Sequence, residues 1–229
     1  MIKYLTIYIV SNLLILFLFE KLSKLFAIYD YPNERKAQIK KISLFGGIYI
    51  FFSIYTYFLF IIFSENILKD VLFSINTQQI NFLAISFFIF FIGFIDDKNN
   101  LSPNKKIFSF LALILICVSI DPNLQILLLK VSFYEKYILL QNFSLVFTVF
   151  SIFIFINALN MYDGSNAQLG NYVLIFFIYL FYKTNFYLIL IFLIPLIFFL
   201  YLNIINKTYM GNSGVYFLGF ILSFLIIKI

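Results

Sequence analysis

The sequence has no histidine, one cysteine and few charges. Without histidine there is no imidazole acid–base catalysis, no imidazole metal ligation and no histidine pH sensing. The lone Cys117 can form neither an internal disulfide nor a thiolate metal cluster. Asp, Glu, Lys and Arg make up 11% of the 229 residues, where soluble domains carry about a quarter. With 63% hydrophobic residues and a mean hydropathy of +1.02, a soluble globular domain is excluded. An aromatic content of 22% and the absence of long polar tracts exclude a disordered chain. The net charge of +6 does not point to nucleic acid, because the basic residues are scattered through short loops and form no basic face.

What remains is a helical membrane protein. Its apolar runs are unbroken rather than alternating, which argues against a transmembrane barrel. Charges punctuate eight such runs, at 4–19, 43–64, 75–95, 107–120, 138–158, 171–182, 185–205 and 210–227. The expected fold is an all-α polytopic bundle of about eight transmembrane helices, forming a single domain over 1–229. The runs 107–120 and 171–182 are short and are expected to extend into their flanking loops. The first run lacks a small-residue cleavage site and is not read as a removable signal peptide. Ten of the 16 Lys and Arg fall in the loops after the odd-numbered runs. By the positive-inside rule those loops are cytoplasmic and both termini lie outside.

Only ten acidic residues are present, and four polar clusters adjoin the same predicted face. Asp96 and Asp97 close the third run. Adjacent carboxylates repel unless a cation or proton relieves them, and Mg²⁺ suits oxygen ligands. A plain polar helix end is the alternative. Ser102-Pro103 reads as a new helix start with Ser as cap. Lys105 and Lys106 follow, either facing phosphates or anchoring the headgroup layer. Asn157, Asn160 and Asp163 are spaced i, i+3, i+6 along one side of a helix end. They suit amide contacts to a nucleotide and a carboxylate contact to a cation, or else helix–helix hydrogen bonds. Met210-Gly-Asn212-Ser213-Gly214 suits close approach of an anion to free N–H groups at a helix start, or a simple turn. Asp30 to Lys36, followed by Gly46-Gly47, carries the chain's only arginine, Arg35. That loop could equally bind anionic membrane lipids. Asp96, Asp97, Asn160, Asp163 and Asn212 are expected to line one cavity at the cytoplasmic boundary. A transporter would need a polar path across the bilayer, yet all ten acids sit at or near loop ends.

Together the stretches DYPNERK…FGG at 30–47, DDKNNLSPNKK at 96–106, NALNMYDG at 157–164 and MGNSG at 210–214 resemble the polyprenyl-phosphate N-acetylhexosamine-1-phosphate transferases, glycosyltransferase family 4. The resemblance implies a bacterial inner-membrane, multi-pass enzyme that initiates cell-surface glycans. Such enzymes move an N-acetylhexosamine-1-phosphate from a UDP-sugar to undecaprenyl or another polyprenyl phosphate and release UMP. It implies Mg²⁺, with Mn²⁺ as the alternative. Asp96, Asp97 and Asp163 would be catalytic, and Asp97, Asp163 and Asn212 would hold the metal. Arg35, Lys36, Lys106, Asn157, Asn160 and Ser213 would bind substrate. Homo-oligomerisation is left open.

The sequence departs from the family pattern at several points. Asn212 and Asn166 stand where the family has aspartates, and Gln38 stands where histidine is common. The family's last cytoplasmic loop, with its histidine motif, and the helices around it are expected to be lacking. A catalytically inactive homologue, acting as a membrane binding or assembly partner, is the alternative expectation.

Overall fold

The computed structural model describes residues 2–32, 40–64, 76–133, 136–184 and 189–229. Arg35, Lys36 and Gln38 lie outside the described residues. The described residues form a bundle of α-helices with two minimal strand pairs. In order these are α1 (Ile2–Phe17), α2 (Phe19–Phe26), α3 (Phe45–Ser64), α4 (Asn76–Asn99), α5 (Pro103–Ile120), α6 (Ser144–Tyr162), α7 (Gln168–Thr184), α8 (Leu190–Ile204) and α9 (Gly211–Lys228). Strands β1 (Tyr29–Asp30) and β2 (Ile42–Ser43) pair antiparallel before α3, as do β3 (Leu128–Leu129) and β4 (Ile138–Leu139) between α5 and α6.

The all-α membrane class stands, and each apolar run carries a helix, but the span count is lower than eight. Four described helical stretches are long and apolar enough to cross a membrane: Thr77–Asn99, Pro103–Ile120, Gln141–Tyr162 and Gly211–Lys228. Three shorter apolar stretches, Thr6–Phe17, Phe45–Phe58 and Leu190–Ile204, bring the range to four to seven. The run at 171–182 falls in neither set, because α7 is 17 residues long and includes Gln168, Asn171 and Lys183. The short run at 107–120 does extend into its loop. Helix α5 begins at Pro103, whose fixed φ suits a first helical position. Ser102 precedes it in extended conformation, but its hydroxyl does not cap the helix.

Helix α9 is the hub. Every residue from Ser213 to Leu225 is buried, as expected of a helix that is apolar on all sides. Lipid tails are as apolar as leucine, so helices in a bilayer associate by close packing rather than by hydrophobic transfer. Glycines make that packing possible at one end of the bundle. A Cβ on Gly47 of α3 would lie 2.4 Å from the Gly214 nitrogen of α9, and one on Gly93 of α4 would lie 2.5 Å from the Ser213 Cα. Backbones of α3, α4 and α9 therefore touch there. Aromatic packing, such as the Phe51–Phe90 stack at 3.8 Å, continues the α3–α4 contact away from that end.

Helix α8 contains Pro195, which has no N–H to donate to the carbonyl four residues back. That carbonyl belongs to Ile191, and the Tyr8 hydroxyl of α1 donates to it at 2.8 Å. Asn12, fully buried, donates to the Tyr8 carbonyl at 2.9 Å and accepts from the Tyr49 hydroxyl of α3 at 2.9 Å. A polar chain thus joins α1, α3 and α8 inside the apolar bundle, where an unpaired polar group is costly. At the end of the bundle away from the glycine contacts, Lys228 of α9 pairs with buried Asp121 after α5 at 2.6 Å.

Candidate active site

The glycine-packed end of the bundle holds an open cavity of about 1420 Å³. Its lining comes from the β1–β2 hairpin, the C-terminal ends of α4 and α6, the loop leading into α7, and the α8–α9 connection. Asp97, Asn160, Asp163 and Asn212 all line it. Asp96 does not, and the reason is its position on α4. Its carboxylate points into the protein, 1% exposed. There it pairs with Lys106 at 2.7 Å and accepts the Leu101 N–H at 2.9 Å and the Tyr216 hydroxyl at 3.4 Å. Asp96 therefore ties the α4–α5 turn to α9, and its carboxylate and the Lys106 ammonium are matched to each other.

Asp97 is one residue further round the helix and faces α9. Its Oδ1 accepts the Asn212 N–H at 2.7 Å and its Oδ2 accepts the Ser213 N–H at 3.0 Å. The free N–H groups at the start of α9 thus do meet an anion, but an internal one. Gly211 makes the approach possible, with φ of +70°, and a Cβ there would sit 2.7 Å from Asp97 Oδ2. A carboxylate oxygen has more than one lone pair, so Asp97 still offers acceptor capacity to the cavity it lines.

Asp163 follows the last residue of α6 and is exposed to the cavity. Surrounding protein limits its hydration and pushes its carboxyl up to about 6, and the charge of Asp97 adds to the effect. A carboxylate whose ionisation is disfavoured by a neighbouring carboxylate makes a place where a cation is welcome. Among the described residues no group of three or more His, Cys, Asp or Glu is arranged to hold a metal. Any cation here would draw on two carboxylates and neutral oxygens.

The remaining expected residues are placed differently. Asn157 donates to the Phe153 carbonyl of its own helix at 2.8 Å and does not line the cavity. Ser213 is fully buried and does not line the cavity. Asn166, at a position where the family pattern has a carboxylate, donates to the Asn206 side chain. Asn203 accepts the Ala167 N–H at 2.6 Å and donates to the Thr208 carbonyl at 2.7 Å. These amides stitch the loop after α6 to the loop after α8. Asn203 and Asn206 line the cavity, as do Tyr29, Lys40, Lys41 and Asn100, none of which was among the expected site residues. Asn203 and Asn206 repeat the i, i+3 amide spacing at the end of an apolar run that marked Asn157 and Asn160. That signal was in the sequence. The hairpin residues had none, since a two-residue strand leaves no periodicity.

A family model described as glycosyl transferase family 4 matches residues 79–229. The match takes in the stretches at 96–106, 157–164 and 210–214, while the stretch at 30–47 precedes it. A curated relative, the undecaprenyl-phosphate alpha-N-acetylglucosaminyl 1-phosphate transferase of Yersinia pestis, is 30% identical over 159 residues. The alignment covers 68% of this chain and 39% of the relative, so the chain spans about two fifths of that protein's length.

Proposed function

The chain belongs to glycosyl transferase family 4, and from that premise we propose that it transfers a sugar phosphate to a polyprenyl phosphate. The donor is a UDP-N-acetylhexosamine, the acceptor is undecaprenyl or a related polyprenyl phosphate, and the leaving group is UMP. The name of the Yersinia relative supports the acceptor and the transferred group. The observation that carries the reading is the cavity itself, where Asp97, Asn160, Asp163 and Asn212 meet at the ends of long apolar helices. A water-soluble nucleotide sugar and a membrane-held lipid phosphate can react only at such a boundary. The protein is accordingly read as a multi-pass protein of a bacterial inner membrane with this cavity on the cytoplasmic side.

The donor set fits Mg²⁺, with Mn²⁺ as the alternative. Asp97, Asp163 and the Asn212 amide are hard oxygen ligands, and Mg²⁺ commonly keeps waters and phosphate oxygens beside one or two carboxylates. When bound, the cation would polarise the donor diphosphate and offset charge building on the leaving phosphate. The chain's own residues do the rest. The Asn160 amide can donate to the nucleotide or the sugar. Asp97 keeps the start of α9, and with it Asn212, in fixed register beside the reacting groups, which is how orientation lowers a barrier. The incoming nucleophile is an oxygen of the lipid phosphate, which carries negative charge at neutral pH. The new P–O bond forms as the bond to UMP breaks.

A second reading, a catalytically inactive homologue that binds or assembles at the membrane, has one specific observation behind it. Asn212 and Asn166 are neutral where the family pattern has aspartates, and Asn166 is engaged with Asn206. One assay decides between the two. Membranes containing the chain are incubated with undecaprenyl phosphate and UDP-N-acetylglucosamine, with and without Mg²⁺, and UMP is measured. Mg²⁺-dependent UMP release above that of Asp97→Asn membranes is expected. No release with any UDP-N-acetylhexosamine favours the inactive homologue.

A further inference from the structure

A phosphate or diphosphate entering this cavity meets a lining that includes Asp97 and Asp163. Those carboxylates repel it unless a bound cation offsets them, and basic side chains in the lining would add to that offset. Lys106 cannot, because it is bonded to Asp96 and lies outside the lining. Among the described lining residues the bases are Lys40 and Lys41. Both are exposed, and neither pairs with a carboxylate among the described residues.

Their backbone is anchored on the side of α3. Lys41 directly precedes β2, where Ile42 pairs with Asp30 and Ser43 with Tyr29. The Ser43 carbonyl accepts the Tyr209 N–H at 2.9 Å and the Thr208 hydroxyl at 2.9 Å. Gly46 and Gly47 donate to the Tyr209 and Met210 carbonyls at 3.1 and 2.9 Å. The hairpin is therefore bonded to the segment that leads into α9 and Asn212. The Lys41 ammonium lies 4.6 Å from the centroid of the Tyr29 ring. A cation–π contact restrains the charged end of a lysine without neutralising it. The charge remains available to a ligand.

We propose that Lys40 and Lys41 form the phosphate-binding side of the cavity, taking the oxygens of a phosphate monoester or diphosphate. The identity of the ligand rests on the transferase reading, but the binding of a phosphate does not require turnover. The same chemistry has two sources, the diphosphate of the nucleotide sugar and the phosphate of the lipid acceptor.

The test is calorimetric titration of the detergent-purified chain with UMP, farnesyl phosphate, inorganic pyrophosphate and uridine. In the Lys40→Ala/Lys41→Ala variant, binding of at least one phosphorylated ligand should weaken tenfold or more. Uridine, which has no phosphate, should bind as to the unaltered chain. Weakening towards UMP places the lysines on the donor, and weakening towards farnesyl phosphate places them on the acceptor. The Lys40→Arg/Lys41→Arg variant should retain binding, and so should Lys105→Ala, whose lysine does not line the cavity. Because both residues are exposed, thermal unfolding should be unchanged in all variants. Pyrophosphate keeps this proposal separable from the transferase reading. Loss of pyrophosphate binding in the double alanine variant supports the lysine assignment even if UMP and farnesyl phosphate do not bind, an outcome that would sink the transferase reading alone. Unchanged binding of all three phosphorylated ligands in that variant, or no binding of any to the unaltered chain, overturns the lysine assignment.

Discussion

Gly211 has two independent reasons to be glycine. Its φ of +70° lies in the left-handed region, and a Cβ would sit 2.7 Å from Asp97 Oδ2. Left-handed backbone costs a residue with a side chain about 1–2 kcal/mol, and the contact adds to that. Gly211→Ala should therefore lower the thermal unfolding temperature in detergent and reduce UMP release, because Asp97 must move off the α9 N–H groups. An unchanged melting curve would mean that Asp97 does not hold α9. Its neighbour Asn212 is a neutral residue of the cavity lining. On the proposed reading, Asn212→Asp would supply a charged ligand, so the Mg²⁺ concentration for half-maximal activity should fall; identical Mg²⁺ titrations would remove Asn212 from the metal site. Asp163 adds a pH dependence. Its carboxyl is raised to about 6, so it is ionised above that pH and progressively protonated below it. A cation must displace that proton, so at low pH the Mg²⁺ requirement should rise by up to tenfold per pH unit below about 6, and level off above it. A requirement flat from pH 5 to 8 would exclude Asp163 as a ligand. The sequence made Asp97, Asp163 and Asn212 legible as candidates because the first two follow the ends of apolar runs and Asn212 stands between glycines at the start of one. It could not show that Asp97 is bonded to residues 115 and 116 positions away, since nothing local encodes a contact of that range. For the same reason Asp96 looked equivalent to its neighbour. Only the 100° step of the helix, which sends one carboxylate inward and the next to the cavity, tells them apart.

At the scale of elements, what was legible follows from the bilayer. A helix must satisfy its own backbone in lipid, so an uninterrupted apolar run of sufficient length can hardly be anything else. Every run accordingly carries a helix. How the helices meet was less legible, because packing in lipid depends on small residues and on single polar contacts. Gly47, Gly93 and Gly214 gave no sign of their partners. Pro195 inside the run 185–205 gave no sign of what would satisfy the carbonyl it frees. The structure supplies Tyr8, and this predicts a specific weakness. Tyr8→Phe keeps the ring and removes only the donor to Ile191. Hydrogen bonds between membrane helices average about 0.6 kcal/mol and reach about 1.7, and the buried location puts this one toward the upper part of that range. Detergent unfolding of Tyr8→Phe should show a loss of about 1 kcal/mol, whereas Tyr182→Phe, on the exposed face of α7, should show none. Equal stability of both variants would mean that the α8 carbonyl finds another partner.

Across the whole molecule, charge asymmetry and site position support each other. The cavity opens at the end of the bundle where α4 and α6 finish and α3, α5 and α9 begin, and among the described residues that end carries the larger share of Lys and Arg. On the proposed reading, the positive-inside rule would put that end in the cytoplasm, where nucleotide sugars are made. The argument depends on orientation rather than on fold, because the same bundle inverted would present its cavity to a compartment without the donor. Cys117 makes the test simple. It is the single cysteine and is fully buried, so a Cys117→Ala chain is a clean background for single introduced cysteines. Lys105 stands at the start of α5 on the cavity end, and Lys130 stands beyond the far end of the same 18-residue helix. In intact cells with a permeable outer envelope, a membrane-impermeant maleimide should label Lys130→Cys and leave Lys105→Cys unlabelled until the inner membrane is opened. Labelling of Lys105→Cys in intact cells would put the cavity outside. The nucleotide-sugar reading would then fall even though every helix and hydrogen bond described above were correct, since the donor could not reach the carboxylates.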